Sequence, residues 1–149
     1  MRETKPFYCD CYIFEDEEGH KGRRPVYKTE GAACADVALP KEVMLQPGEA
    51  VKIDLLIMFD IPKDHVVRMY PRSSLLIKFG VLSPVTNVDW DYKGHVHVPL
   101  INMSSKPVTF MEGERVAQVE CVKCGRRPDN WVQESNARDQ NGFGGSGRV

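Results

Sequence analysis

The chain has no surplus of charge of either sign: 20 lysines and arginines stand against 21 aspartates and glutamates. That balance excludes a global field able to draw in nucleic acid or an acidic membrane, so positive charge meeting an anionic ligand must be local. No apolar run approaches the length that spans a bilayer, and Met1-Arg2-Glu3-Thr4-Lys5-Pro6 lacks the apolar core of a signal peptide. A soluble cytoplasmic protein is expected, with no membrane or nucleic-acid partner and with its five cysteines reduced. Histidine is sparse, and His20, His65, His95 and His97 have no ligand spacing with the cysteines, so all are read as surface or strand residues. At 149 residues the chain suits one domain that buries its core without staples.

What is present is alternation. Val51, Ile53 and Leu55 share one parity before Leu56, Ile57 and Met58 turn apolar on both, which marks residues 50–61 as strand; Val96, Val98 and Leu100 share a face over residues 95–101. Residues 7–14, 66–70, 108–111 and 115–122 are further short strands, divided by turns such as Gln46-Pro47-Gly48 and Glu112-Gly113-Glu114. The pattern is all-β, and alternation alone does not choose among a sandwich, a jelly roll and a barrel.

Three segments depart from it. In Pro71-Arg72-Ser73-Ser74-Leu75-Leu76-Ile77-Lys78-Phe79-Gly80 the serines can cap a short helix that Gly80 ends; hydroxyls, exposed N–H groups and Arg72 there suit an anion, or the segment is an ordinary capped connector. Val88-Asp89-Trp90-Asp91-Tyr92-Lys93-Gly94 places two acids and two aromatics in a turn between strands, as a solvated hairpin tip also would. The tail, Arg138-Asp139-Gln140-Asn141-Gly142-Phe143-Gly144-Gly145-Ser146-Gly147, combines an arginine, converging glycine N–H groups and one aromatic face. Those are the parts of a nucleotide grip, although a glycine-rich terminus alone reads as a disordered end.

Taken together, the segments resemble the trimeric dUTPase family across nearly the whole chain. The first family motif is similar to Gly31-Ala32-Ala33-Cys34-Ala35-Asp36-Val37-Ala38 and the second to Pro71-Arg72-Ser73-Ser74-Leu75. The third is similar to Val88-Asp89-Trp90-Asp91-Tyr92-Lys93-Gly94 with Asn102 downstream, the fourth to Gly113-Glu114-Arg115-Val116-Ala117-Gln118-Val119, and the fifth to the tail. The resemblance implies an all-β, jelly-roll-like subunit with one short helix, a β domain over residues 1–130, and a flexible arm over 131–149. It implies a homotrimer with active sites at subunit interfaces: one subunit supplies the first, second and fourth motifs, its neighbour the third, and the tail of the remaining subunit closes as a lid.

The implied reaction is dUTP diphosphatase chemistry, dUTP and water giving dUMP and pyrophosphate. By resemblance Asp89 is the base that activates the water, a contribution typically of ~10²–10⁴-fold. Asp36 reaches the waters of a Mg²⁺ that arrives on the triphosphate. Arg72, Ser73, Ser74, Gln118 and Arg138 position phosphates, Tyr92 packs beneath the deoxyribose and excludes a 2′-hydroxyl, and Phe143 stacks on uracil. The base-reading hairpin departs from the family at Thr86 and Asn87, where a glycine and an apolar residue are usual; Asn87 is thereby a substrate-binding candidate. The tail has Asp139, Gln140 and Asn141 where the family has more glycine.

Alternative readings are a dCTP- or modified-dUTP pyrophosphatase, or an idle trimer that binds nucleotide or protein. The chain also resembles dCTP deaminase, which shares the fold and the second motif, but deamination is disfavoured because that relative has a glutamate ten positions beyond its third-motif aspartate, where this chain has Pro99. Separately, Cys121-Val122-Lys123-Cys124-Gly125 has zinc-knuckle spacing, and Cys9 and Cys11 share one strand face. A structural Zn²⁺ on Cys9, Cys11, Cys121 and Cys124 would require the first strand to pair with the fourth-motif strand; otherwise the thiols are small half-buried side chains. Cys34 has no assigned role. Lys21-Gly22-Arg23-Arg24, Arg126-Arg127 and Glu15-Asp16-Glu17-Glu18 read as solvated loops, and Trp131 as an anchor for the root of the tail.

Overall fold

The computed structural model describes residues 8–138, so Phe143 and the tail beyond Arg138 lie outside the described residues. In chain order the elements are β1 (Asp10–Ile13), β2 (Ala35–Ala38), β3 (Val43–Leu45), β4 (Ala50–Asp54), β5 (Ile57–Asp60), β6 (His65–Pro71), α1 (Ser73–Phe79), β7 (Val81–Leu82), β8 (Thr86–Asp89), β9 (His97–Asn102), β10 (Val108–Phe110) and β11 (Arg115–Lys123). Four strands form one sheet in the order β2-β11-β6-β8 and three form another in the order β4-β9-β7; β1 with β5 and β3 with β10 make two further pairs. Every ladder is antiparallel.

Alternation explains the core. On β9, Val98 and Leu100 are buried while His97, Pro99 and Ile101 are less so, as the period of two requires. Val37, Val67, Met69, Val88 and Val119 from the larger sheet meet Ile53, Val81, Val98 and Leu100 from the smaller one in a single cluster, closed by Leu45, Phe110 and the helix residue Leu75. Asn102 is buried among them with its amide donating to the Leu45 and Lys106 carbonyls at 3.1 and 2.8 Å and its oxygen accepting from Ser104. It therefore holds two loops together.

Four expectations change. Residues 50–61 are two strands, because Leu56 adopts a left-handed φ of 54° and breaks the ladder where the apolar parity switches. The helix begins after Arg72, whose extended backbone makes it the N-cap, and no side chain caps it; Ser73 and Ser74 occupy its first turn. Gly80 does end the helix, with the left-handed φ of 65° that glycine tolerates. β7 pairs with β9 and β8 with β6, so residues 81–89 cross from one sheet to the other and do not fold back as a hairpin. Finally, β1 pairs with β5, whereas β11 pairs with β2 and β6, so the strand pairing needed to assemble the four cysteines is not formed. Cys9 and Cys121 do lie near each other, close enough for Cys121 to help push the Cys9 thiol up, but no group of three or more His, Cys, Asp or Glu gathers to hold a metal among the described residues.

Candidate active site

The candidate residues fall into two groups. The first sits where β2, β11 and the end of β6 converge. A bulge between Arg115 and Ala117 lets Val116 and Ala117 both turn into the core while Arg115 and Gln118 stay accessible. Gln118 pairs in register with Asp36 on one side and Tyr70 on the other. The Asp36 carboxylate, only 12% exposed, lies 3.5 Å from the Arg115 guanidinium and 3.8 Å from that of Arg72. Arg72 also donates to the Arg115 carbonyl at 3.1 Å, and Gln118 donates to the Pro71 carbonyl at 3.2 Å.

This arrangement holds two guanidinium groups and an amide beside the first turn of α1. It suits a polyanion, since the arginines are oriented by a carboxylate that leaves most of their donors available. Arg115 stood inside the fourth motif without a role; its basic side chain directly before the apolar Val116 and Ala117 was the signal that would have found it.

The second group is built on the end of β8. Asp89 is exposed at the strand terminus, and the turn that follows is closed by Tyr92 N–H donating to the Asp89 carbonyl at 3.1 Å. Tyr92 is buried, and burial followed by the nearby Asp54 charge pushes its phenol up, so it stays a protonated donor; it bonds the His95 carbonyl at 2.7 Å. Gly94 is required by this packing: a Cβ there would stand 2.5 Å from the Tyr92 hydroxyl oxygen. Asn87 is exposed on β8 opposite Arg68. Arg138, at the root of the tail, donates to Asp91 at 2.7 Å and forms an ion pair with Asp89. It thus lies with the third motif and not beside Arg72.

Register fixes how far apart the two groups are. Asp89 faces Val66 and Gln118 faces Tyr70 across the same strand β6, and Arg72 lies two residues further on. At a rise of ~3.3 Å per residue, Arg72 and Asp89 of one chain are roughly 20 Å apart. That is far outside the reach at which a base and a phosphate clamp serve one reacting phosphorus.

For a metal, Asp36 is the carboxylate that the first group holds beside its two arginines. Its hard oxygens fit Mg²⁺ through water, and with two arginines already beside it, a single acid suits an ion carried in by the ligand better than a protein-built cage.

Comparison with known proteins closes the question of family. The sequence profile of the dUTPase family matches residues 20–147. Deoxyuridine 5′-triphosphate nucleotidohydrolases of an Anaeromyxobacter species and of Desulfotalea psychrophila are 36% and 37% identical over 128 and 129 residues, each covering 83% of this chain and 87% and 86% of the relative. In solved structures, the fold resembles a dUTPase variant from Staphylococcus aureus phage phi11 described as coordinating a structural Mg(II) ion (TM-score 0.72, 17% identity, 86% and 99% of the two chains). It also resembles the Streptococcus mutans dUTPase (TM-score 0.69, 21% identity, 78% and 98%). The all-β core, the ordered motifs and these relatives together place this chain in the dUTPase family.

Proposed function

We propose that the chain hydrolyses dUTP to dUMP and pyrophosphate in composite sites between the subunits of a homotrimer. The observation that carries this reading is the separation of the clamp, Arg72, Ser73, Ser74 and Gln118, from Asp89 and Tyr92 along β6. Each group is half of a site, and one copy completes another when chains associate by closed rotational symmetry. Exposed apolar side chains such as Ile77 on α1, 84% accessible, are the kind that association covers.

In such a site Asp89 accepts a proton from water as the water oxygen attacks the α-phosphorus. The bond from that phosphorus to the bridging oxygen breaks, and pyrophosphate leaves with the electron pair. Arg72 and Gln118 hold the phosphates in line, helped by Ser73 and Ser74 at the start of the helix, and Asp36 keeps Arg72 and Arg115 aimed. Asp36 would reach, through water, a Mg²⁺ arriving with the triphosphate, and that ion would supply neutralising charge. Tyr92 presents its ring to the sugar with its hydroxyl turned away onto His95, which leaves an apolar wall where a 2′-hydroxyl would stand. Asn87 lies beside the base.

Arg138 pairs with Asp89 and Asp91. Closure of the arm, residues 131–149, would move this arginine from carboxylates to the γ-phosphate and release Asp89 for the water. A cytoplasmic enzyme sanitising the nucleotide pool completes the reading.

The test is pyrophosphate release from dUTP, UTP, dTTP, dCTP and 5-substituted dUTP, repeated on Asp89→Asn. Release confined to dUTP and lowered ~10²–10⁴-fold by the substitution is expected. Release from dCTP or a substituted dUTP would move specificity to Thr86 and Asn87, and no release with nucleotide still bound would overturn the enzymatic reading.

A further inference from the structure

The loop carrying Tyr92 is held by residues outside every motif. Asp54, the last residue of β4, pairs in register with His97 on β9. Its Oδ1 accepts the Leu56 N–H at 2.8 Å, which pins the left-handed corner at Leu56. Its Oδ2 lies 2.9 Å from His95 Nδ1, with His97 Nε2 3.9 Å away. The His95 ring packs on Phe14 with centroids 4.5 Å apart.

The backbone carbonyl of His95 accepts the Tyr92 hydroxyl, and His97 Nδ1 lies 3.0 Å from the same oxygen. A continuous set of contacts therefore runs from Asp54 through the His95 ring and backbone to the tyrosine that walls the site. The His95 ring is fixed from two sides, by the carboxylate and by Phe14, so its backbone has little freedom to carry the Tyr92 acceptor elsewhere.

We propose that Asp54 is a positioning residue for sugar selection: through His95 it fixes the loop that presents Tyr92, and so sets the discrimination between 2′-deoxy and 2′-hydroxy nucleoside triphosphates. This rests on the reading of Tyr92 as the wall beneath the deoxyribose. Asp54 touches no substrate, so its removal acts on the KM for dUTP and on the acceptance of UTP, and spares kcat.

The experiment measures kcat and KM for dUTP, and turnover or competitive inhibition by UTP, in wild type, Asp54→Ala, His95→Leu, His95→Asn and Tyr92→Ala. Asp54→Ala and His95→Leu are each expected to reduce the preference for dUTP over UTP by at least about tenfold, because a wall residue displaced by an ångström loses its fit. His95→Asn places an amide nitrogen where Nδ1 stands and is expected to retain the preference. His95→Leu keeps the volume beside Phe14, which preserves a folded protein for the comparison.

An unchanged preference in Asp54→Ala and His95→Leu, with a lowered one in Tyr92→Ala, would refute the positioning role and leave the Tyr92 reading intact. No change even in Tyr92→Ala would remove both. Equal losses for both nucleotides with an earlier unfolding midpoint would reduce Asp54 to a structural residue and overturn the proposal.

Discussion

Replacing Gly94 by alanine adds one methyl group against a rigid ring, and the structure says what must give. The new Cβ would stand 2.5 Å from the Tyr92 hydroxyl oxygen, 2.7 Å from Cζ and 3.2 Å from Cε2, where ordinary carbon contacts begin near ~3.5 Å. The ring end must retreat by about an ångström, which also pulls the hydroxyl off the His95 carbonyl it now bonds at 2.7 Å. Overpacking of this kind costs about 1–3 kcal/mol and the lost hydrogen bond about 1 more. The backbone at Gly94 has no left-handed φ, so alanine otherwise gains about 0.4–1 kcal/mol by narrowing the unfolded ensemble.

A net loss of about 1–3.5 kcal/mol follows, together with a raised KM for dUTP. Urea unfolding of Gly94→Ala, alone and in a Tyr92→Ala background, separates the causes. With the ring gone, the alanine should be neutral or stabilising. A loss of the same size in both backgrounds, or none in either, would refute the contact argument.

Further outcomes are expected. Phe110 is almost wholly buried and meets Phe79 edge-on at 5.3 Å, so Phe110→Ala should lower stability by about 3–5 kcal/mol in urea unfolding, whatever its effect on turnover. Burial pushes the Cys9 thiol up to about 12, with neighbouring Cys121 adding to it, and burial raises Cys121 also. Iodoacetamide at pH 8 should therefore label exposed Cys124 well before Cys9, and mass spectrometry of the labelled peptides reads the order. Because the unfolded thiol releases its proton near pH 9 and the folded one only near 12, this group makes stability fall as pH rises through that window.

Legibility in the sequence followed the range of the interactions. A strand with one buried face, such as β9, announced itself by parity, and Gly80 marked the helix end through a local backbone demand. The candidate site residues were legible through the resemblance of the five motifs, in their order along the chain, to those of the family. What stayed hidden depends on contacts distant in the chain. The break at Leu56 needs the Asp54 side chain to hold an unfavourable φ, and the bond from Asp54 to His95 spans strands that alternation does not register against each other. His95 and His97 looked like plain strand histidines for that reason. The cysteine pairs had metal-like spacing, yet strand order decides whether spacing becomes proximity, and β5 takes the place beside β1 that β11 would have needed. Arg138 was expected at a phosphate; its ion pairs with Asp89 and Asp91 are legible only once the root of the tail is placed against the third motif.

The claim that each site takes its clamp from one chain and its base from another is tested by mixing two inactive variants. Arg72→Ala and Asp89→Asn are unfolded together, refolded at equal concentrations and assayed for pyrophosphate release from dUTP. Random association into trimers gives about a quarter of sites an intact Arg72 from one chain and an intact Asp89 from another, so activity should return to about a quarter of wild type. Activity that stays at the level of the separate variants, in a mixture shown to have exchanged subunits, would mean that one chain carries both halves and would contradict the account.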